Sequence, residues 1–299
     1  MNLKDTLLSL IIILVWGFNF VVIAWGLEGI PPLLMGGLRF LLVALIGSLI
    51  FSRPQIPLRW ILAYGMTLGF GQFAFLFTAM AVGMPAGLAS LVLQSQALFT
   101  LLLAQLLLKE SIKPHQLIAI LIAGSGLVLI GWSNDTGAMT AIGFGLTLAA
   151  AACWAIGNIV NRTISQRGYH AGVNLVAWSA WFPPLPFFAL SYLIEGEAVI
   201  IASLQSFSLV SAFALIYLAV IATILGYGLW GDLLSRYPAA QIAPLTLGVP
   251  VVGLTCAALL LNEQVSLIQW GGIVLVMLGL AFNMQGKRLL SRWLKAPVL

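Results

Sequence analysis

Residues 106–120 read LLLKESIKPHQLIAI, and residues 259–273 read LLLNEQVSLIQWGGI. Laid one over the other without a gap, Glu110 meets Glu263 and Gln116 meets Gln269, an offset of 153 residues in both cases. Leucine is too common in this chain to make the match informative, but glutamate and glutamine are not. A chain with very few charged residues has placed them twice in one frame, and the reason for that repetition sets the fold.

Hydrophobic residues make up 62% of the 299 positions and charged residues 7%. Soluble domains carry roughly a quarter charged residues, so this inventory cannot cover a water-facing surface. The apolar stretches are about 20 residues long, the length that crosses a hydrocarbon core of roughly 30 Å as a helix. Ten such spans are expected, at about 7–27, 33–51, 60–81, 86–107, 115–132, 141–162, 172–194, 207–233, 239–261 and 267–284. Pro31-Pro32, Pro54, Pro57, Pro85, Pro114 and Pro238 break the chain between spans. The loops are too short to hold a soluble domain. The first segment has no small-residue cleavage site and ends in Trp25-Gly26-Leu27-Glu28, which reads as a retained helix rather than a removed signal.

The net charge of +5 is informative through its distribution, and gives no reason to expect a nucleic-acid partner. With the N-terminus inside, the inner segments receive Lys4, Arg53, Arg59, Lys109, Lys113, Arg162, Arg167, Arg236, Lys287, Arg288, Arg292 and Lys295, which is every basic residue except Arg39. The outer loops receive Glu28, Asp135, Glu195, Glu197 and Glu263. Lys and Arg stay on the cytoplasmic side of short loops, so both termini are expected in the cytoplasm of a multi-pass chain. A missed or invented span would scramble this alternation.

The echo extends along the chain. At the offset of 153, Tyr64 meets Tyr217 and Pro85-Ala86 meets Pro238-Ala239; nearer the N-terminus the offset drops to 138, where Trp16 meets Trp154. The loop around Glu195 to Ser206 absorbs the difference. Residues 1–137 and 138–299 thus read as two copies of five helices, and because five is odd the second copy enters the membrane upside down. The replacement of Lys109 by Asn262 fits that inversion. An all-α integral membrane protein of ten helices in a 5+5 inverted-topology repeat is the expected fold, an architecture shared by many secondary transporters, whose substrate sites lie near the midplane between the halves. Chance similarity between apolar segments is the competing explanation.

The motifs WGFNF (16–20), GLRF (37–40), MPAGLASLVLQSQ (84–96), WAIGNIVN (154–161), ATILGYGLWG (222–231) and APLTLGVPVVG (243–253) resemble the EamA family of the drug/metabolite transporter superfamily over essentially the whole chain. The resemblance implies the same 5+5 repeat, a central cavity, and outward transport of small amino-acid metabolites such as O-acetylserine or cysteine. It also leaves open other amino acids, or drugs and dyes, as cargo.

Polar side chains in lipid are costly and should face the bundle or a wet cavity. Arg39 is the one basic residue well inside a span, seven residues past Pro32 and so roughly 10 Å deep at helical rise. With no midspan Asp or Glu to pair with it, its planar fork suits a carboxylate ligand; snorkelling to the interface or bonding to helix-end carbonyls is the alternative. Gln94, Ser95 and Gln96 sweep about 200° of the fourth helix, so at least one faces inward; Gln94 and Gln96 are candidates for the polar end of a substrate, with interhelical bonding as the other use. Asn19 and Asn158 hold near-matching positions after their tryptophans, and Gln72, Trp178, Tyr227, Trp230 and Thr246 are further candidates within spans. Tryptophan near a helix end is also a common interface anchor. Pro244 and Pro250 are expected to bend the ninth helix.

Enzyme chemistry is not expected: His115 and His170 lie far apart with no carboxylate at metal-ligand spacing, and Ser90 has no companion base. Cys153 and Cys256 read as free apolar side chains, and neither a cofactor nor a metal is called for. No midspan acid offers an obvious proton path, so facilitated efflux stands beside proton-coupled export, and a channel-like facilitator is a further alternative.

Overall fold

Pro32 and Pro114 each occupy the first turn of a long helix, where a missing N–H costs no bond. Asn2, Thr140 and Ser208 cap three other helix starts through their side-chain oxygens, which accept from the N–H groups of Asp5, Gly143 and Ser211. Between these signals the apolar runs are long, and the computed structural model of the chain has helices joined by short loops, and no strand, among the described residues, which are 1–133, 139–169, 172–237 and 242–293. Asp135, His170, Pro238-Ala239 and Lys295, all singled out above, lie outside them, as do the side chains of Lys287, Arg288 and Arg292.

The helices, in order, are α1 (Leu3–Leu27), α2 (Pro32–Ile50), α3 (Leu58–Ala81), α4 (Ala86–Leu108), α5 (Pro114–Trp132), α6 (Ala141–Gln166), α7 (Gly172–Glu195), α8 (Leu209–Leu233), α9 (Leu245–Leu260) and α10 (Leu267–Trp293). Among the described residues nine are long and apolar enough to cross a bilayer, and α9 is shorter. Two prolines stand near its start. Pro244 stands at the start of the 3-10 segment Ala243–Leu247, and Pro250 stands in the first turn of the α-helix Gly248–Leu260. They start successive pieces rather than kinking one long helix.

The opening question now has a local answer. Lys109 and Asn262, at matching positions, both take the left-handed conformation, with φ of 56° and 55°. The next residue's N–H then reaches back: Glu110 to the Ala104 carbonyl and Glu263 to the Ala257 carbonyl, each at 3.3 Å. Gln116 Oε1 caps the start of α5 by accepting from Lys113 N–H at 2.9 Å, and Gln269 Oε1 caps α10 by accepting from Ser266 N–H at 2.9 Å. The shared Glu and Gln therefore write one helix-turn-helix corner twice. Tyr64 and Tyr217 likewise stand at the edge of π-helical stretches, Gly65–Gly71 and Tyr217–Leu225.

Helices α5 and α10 cross with their backbones in close approach. A Cβ on Gly126 would stand 2.7 Å from the Gly272 carbonyl oxygen, and one on Gly279 would stand 2.9 Å from the Ala119 carbonyl oxygen. Gly126 and Gly279 stand at the sequence offset of 153, as do Ala119 and Gly272, so each of the two contacts maps onto the other at that offset.

Side-chain contacts sort the loops into two ends. At one end Arg236 pairs with Asp5 at 2.6 Å, Arg162 pairs with Glu110 at 2.8 Å, and Asn174 donates to the Ser52 carbonyl. At the other end the Glu195 carboxylate accepts from Leu33 and Leu34 N–H at 2.6 and 3.1 Å, and Glu263 accepts from Ala86 and Gly87 N–H at 2.6 and 2.9 Å. The first end holds Arg162 and Arg236 with their partners Glu110, Asp5 and Asp232, and the second holds Glu195 and Glu263 as acceptors at helix starts. Large apolar side chains such as Leu49, Leu185, Leu209 and Leu267 stand on the outside of the bundle.

Candidate functional site

Arg39 is buried at 3% exposure on α2. Its guanidinium carbon lies 4.0 Å from the centroid of the Phe73 ring on α3, a cation–π arrangement suited to a weakly hydrated cation. Nη2 donates to Thr223 Oγ1 at 2.9 Å. Nε and Nη1 have no hydrogen-bond partner among the described residues. No carboxylate pairs with this charge among the described residues, so two donors stay open in the apolar interior.

Thr223 belongs to the π-helical stretch of α8, and its own hydroxyl donates back to the Leu218 carbonyl at 2.7 Å. One residue earlier, the Ala222 carbonyl accepts from Trp16 Nε1 at 3.0 Å. The wider π turn releases backbone groups that a regular α-turn would use itself, and here they hold Trp16 of α1. Trp16 also packs against Tyr227 and Trp230, with ring centroids 5.3 and 5.5 Å apart. Arg39, Tyr227 and Trp230 are thus linked through one segment of α8.

A second polar set joins α4 to α6. Asn158 Nδ2 donates to Gln96 Oε1 at 2.7 Å and to Thr100 Oγ1 at 3.2 Å. Gln94 lies half-buried in the 3-10 turn Leu93–Ser95, just before Gln96, and Thr246 occupies the 3-10 segment that begins the counterpart helix α9. Asn19 and Gln72 are buried, and their side-chain carbonyl oxygens have no partner among the described residues. Buried polar atoms are almost always satisfied; Arg39, Asn19 and Gln72 each keep at least one such atom without a partner among the described residues.

Trp178 stands apart from these groups. Its indole N–H donates to the Phe51 carbonyl at 2.9 Å, and its ring packs in a separate cluster with Tyr64 and Leu175 at the end that holds Arg162 and Arg236. Sequence reading had no handle on Thr223, Thr100 or Phe73: a hydroxyl inside an apolar run and one phenylalanine among sixteen carry no periodic signal. Only the packing selects them.

The EamA-like transporter family model matches residues 4–132 and matches again over residues 141–285. The chain belongs to that family. It is an EamA-like transporter and not an enzyme. Two relatives of this EamA-like chain are similar over nearly their full lengths, each named a probable amino-acid metabolite efflux pump. That of Escherichia coli strain K12 is 49% identical over 298 residues, 99% of this chain and 98% of its own. That of Salmonella typhimurium strain LT2 is 51% identical over 290 residues, 96% of this chain and 97% of its own. A crystal structure of a protein with 18% identity superposes on 99% of this chain and 100% of its own with a TM-score of 0.64, which establishes the EamA-like chain's fold.

Proposed function

We propose that this chain is an inner-membrane exporter of small amino-acid metabolites, with O-acetylserine and cysteine as its first candidate substrates. Ten spans in a 5+5 inverted repeat, residues 1–137 and 138–299, would carry both termini in the cytoplasm and expose a central site alternately to either face. Export is favoured by the names of the two half-identical relatives. Alternating access is favoured by the exchanged contacts of Gly126 and Gly279 and by the paired corners at Glu110 and Glu263, because inverted repeats give two equivalent ways of closing one site.

The observation that carries the substrate reading is Arg39, a buried guanidinium with Nε and Nη1 open. A substrate carboxylate supplies the missing charge and an acceptor for an open guanidinium N–H. Gln94, and Gln96 held by Asn158, bind the polar end of the molecule; Asn19, Gln72 and Thr246 offer further polar contacts, while Tyr227 and Trp230 serve as apolar walls and Trp178, in its separate cluster, does not.

The test is efflux of O-acetylserine and cysteine from cells expressing the chain, against an empty-vector control. Saturable excess export is expected, with Arg39→Gln lowering it to the control level at unchanged membrane abundance and Arg39→Lys retaining a fraction. Normal export by Arg39→Gln removes Arg39 from the site. Flux that rises without saturating and shows no counterflow replaces the carrier with a channel-like facilitator, and absence of excess export moves the search to other amino acids or drugs.

A further inference from the structure

At the end that holds Arg162 and Arg236, a hollow of about 490 Å³ opens between α3, α4 and α6. One side is apolar, formed by Leu107, Leu108, Ile156 and Val160; the other presents Trp60, Gln166 and Arg167. Leu107 is 62% exposed and Ile156 38% exposed on the outside of the bundle, so the apolar side is continuous with the surface that meets lipid tails.

The polar side is short of acceptors. The Arg167 guanidinium lies 5.0 Å from the Trp60 ring centroid, and the Arg59 guanidinium lies 5.7 Å from it. The indole Nε1 of Trp60 is buried without a hydrogen-bond partner among the described residues. Tryptophan and arginine can only donate. Carboxylates cannot answer them, because Asp5, Glu110 and Asp232, the acids of this end, are already engaged by Arg236, Arg162 and Arg236 respectively. Arg59 and Arg167 form no ion pair among the described residues. Two guanidinium groups without an ion pair among the described residues and an unbonded indole N–H, beside an apolar trough, call for a molecule with an anionic acceptor head and hydrocarbon tails.

We propose that this hollow is a binding site for an anionic phospholipid, with the phosphodiester on Arg167 and Trp60 Nε1, Arg59 adding positive charge at the same indole, and an acyl chain along Leu107 and Ile156. Basic pockets between transmembrane helices at the cytoplasmic surface suit such headgroups. The assignment rests on the proposed orientation only for the leaflet concerned, and binding in detergent reports on the site whichever way the chain is inserted.

The experiment measures lipid binding to the purified full-length protein in detergent by native mass spectrometry, using phosphatidylglycerol, phosphatidylcholine of the same chains, and glycerol 3-phosphate as the headgroup alone. The expected result is phosphatidylglycerol bound about tenfold or more tightly than phosphatidylcholine, with the preference falling to within about twofold in Arg59→Gln/Arg167→Gln and surviving in Arg59→Lys/Arg167→Lys. Thr163→Trp, which fills the hollow and leaves the charges in place, is expected to weaken binding as well and covers the case in which the double Gln variant does not fold. Equal binding of the two lipids, or an undiminished preference in the variants, overturns the site. Binding of glycerol 3-phosphate as tight as that of phosphatidylglycerol also overturns it, in favour of a soluble phosphate ester.

Discussion

Glu263 and Glu110 are repeat partners in near-identical corners, yet replacing each by alanine is expected to cost very different amounts. Glu263 accepts charge-assisted bonds from Ala86 N–H at 2.6 Å and Gly87 N–H at 2.9 Å, closing the start of α4 from a loop 176 residues away. Such bonds contribute about 1.5–3 kcal/mol each. Because the corner is half-buried and the freed N–H groups reach water, the lower end applies, and Glu263→Ala should lose about 2–4 kcal/mol. Glu110 instead pairs with Arg162, with 35% and 49% of the two side chains exposed, which places that contribution below about 1 kcal/mol. Glu263→Gln keeps one acceptor oxygen and loses the charge, so it should fall between. The assay is denaturant unfolding of the purified protein in one fixed detergent, followed by circular dichroism. A loss in Glu110→Ala as large as that in Glu263→Ala would refute the reasoning, because it would mean that the corner, and not its cross-bundle partner, sets the stability.

Other outcomes are expected from the same contacts. Gly126→Val or Gly279→Val should destabilise by about 1–3 kcal/mol or more, since the added carbons meet backbone that can move only by parting α5 from α10; Gly124→Val, where nothing stands within 4 Å of the added Cβ, should be tolerated in the same unfolding assay. Asn158→Ala removes the donor that orients Gln96, and an affinity loss of roughly fivefold, the equivalent of one neutral hydrogen bond, should appear as a raised half-saturation concentration in the efflux assay at unchanged maximal rate. Hydrogen bonding to Asp5 at 2.6 Å pushes the Tyr237 phenol above its ordinary value. The neutral phenol is the form that is held, so this contribution is present below the ordinary phenol value of about 10 and is lost as pH rises through the elevated one. Ultraviolet titration should find a high-titrating tyrosine that Asp5→Asn returns toward the ordinary range.

The membrane class and the alternation of the ends were legible because both follow from one-dimensional quantities. Apolar run length sets the solvent, and Lys and Arg cannot be translocated cheaply, so their positions sort the loops without reference to packing. The corner at Glu110 and Glu263 was legible as a repetition, though its meaning was not: the left-handed turn at Lys109 and Asn262 and the caps by Gln116 and Gln269 are local, but the bond from Glu263 to Ala86 joins distant segments. Arg39 stood out in the sequence because a basic residue in mid-membrane has no inexpensive explanation.

The surroundings of Arg39 were decided by tertiary structure alone. Thr223 reaches it because a π-helical stretch widens α8, and Phe73 lies under it because α3 crosses α2 there; neither relation leaves a period in the sequence. Trp178 and Trp230 look alike in the sequence, one as much an anchor as the other, until packing sends the first to the Phe51 carbonyl and the second to Trp16. A one-dimensional pattern reports what a side chain must avoid, here water or lipid. Which partner it meets depends on where separate helices cross, and that is fixed only when all of them pack at once.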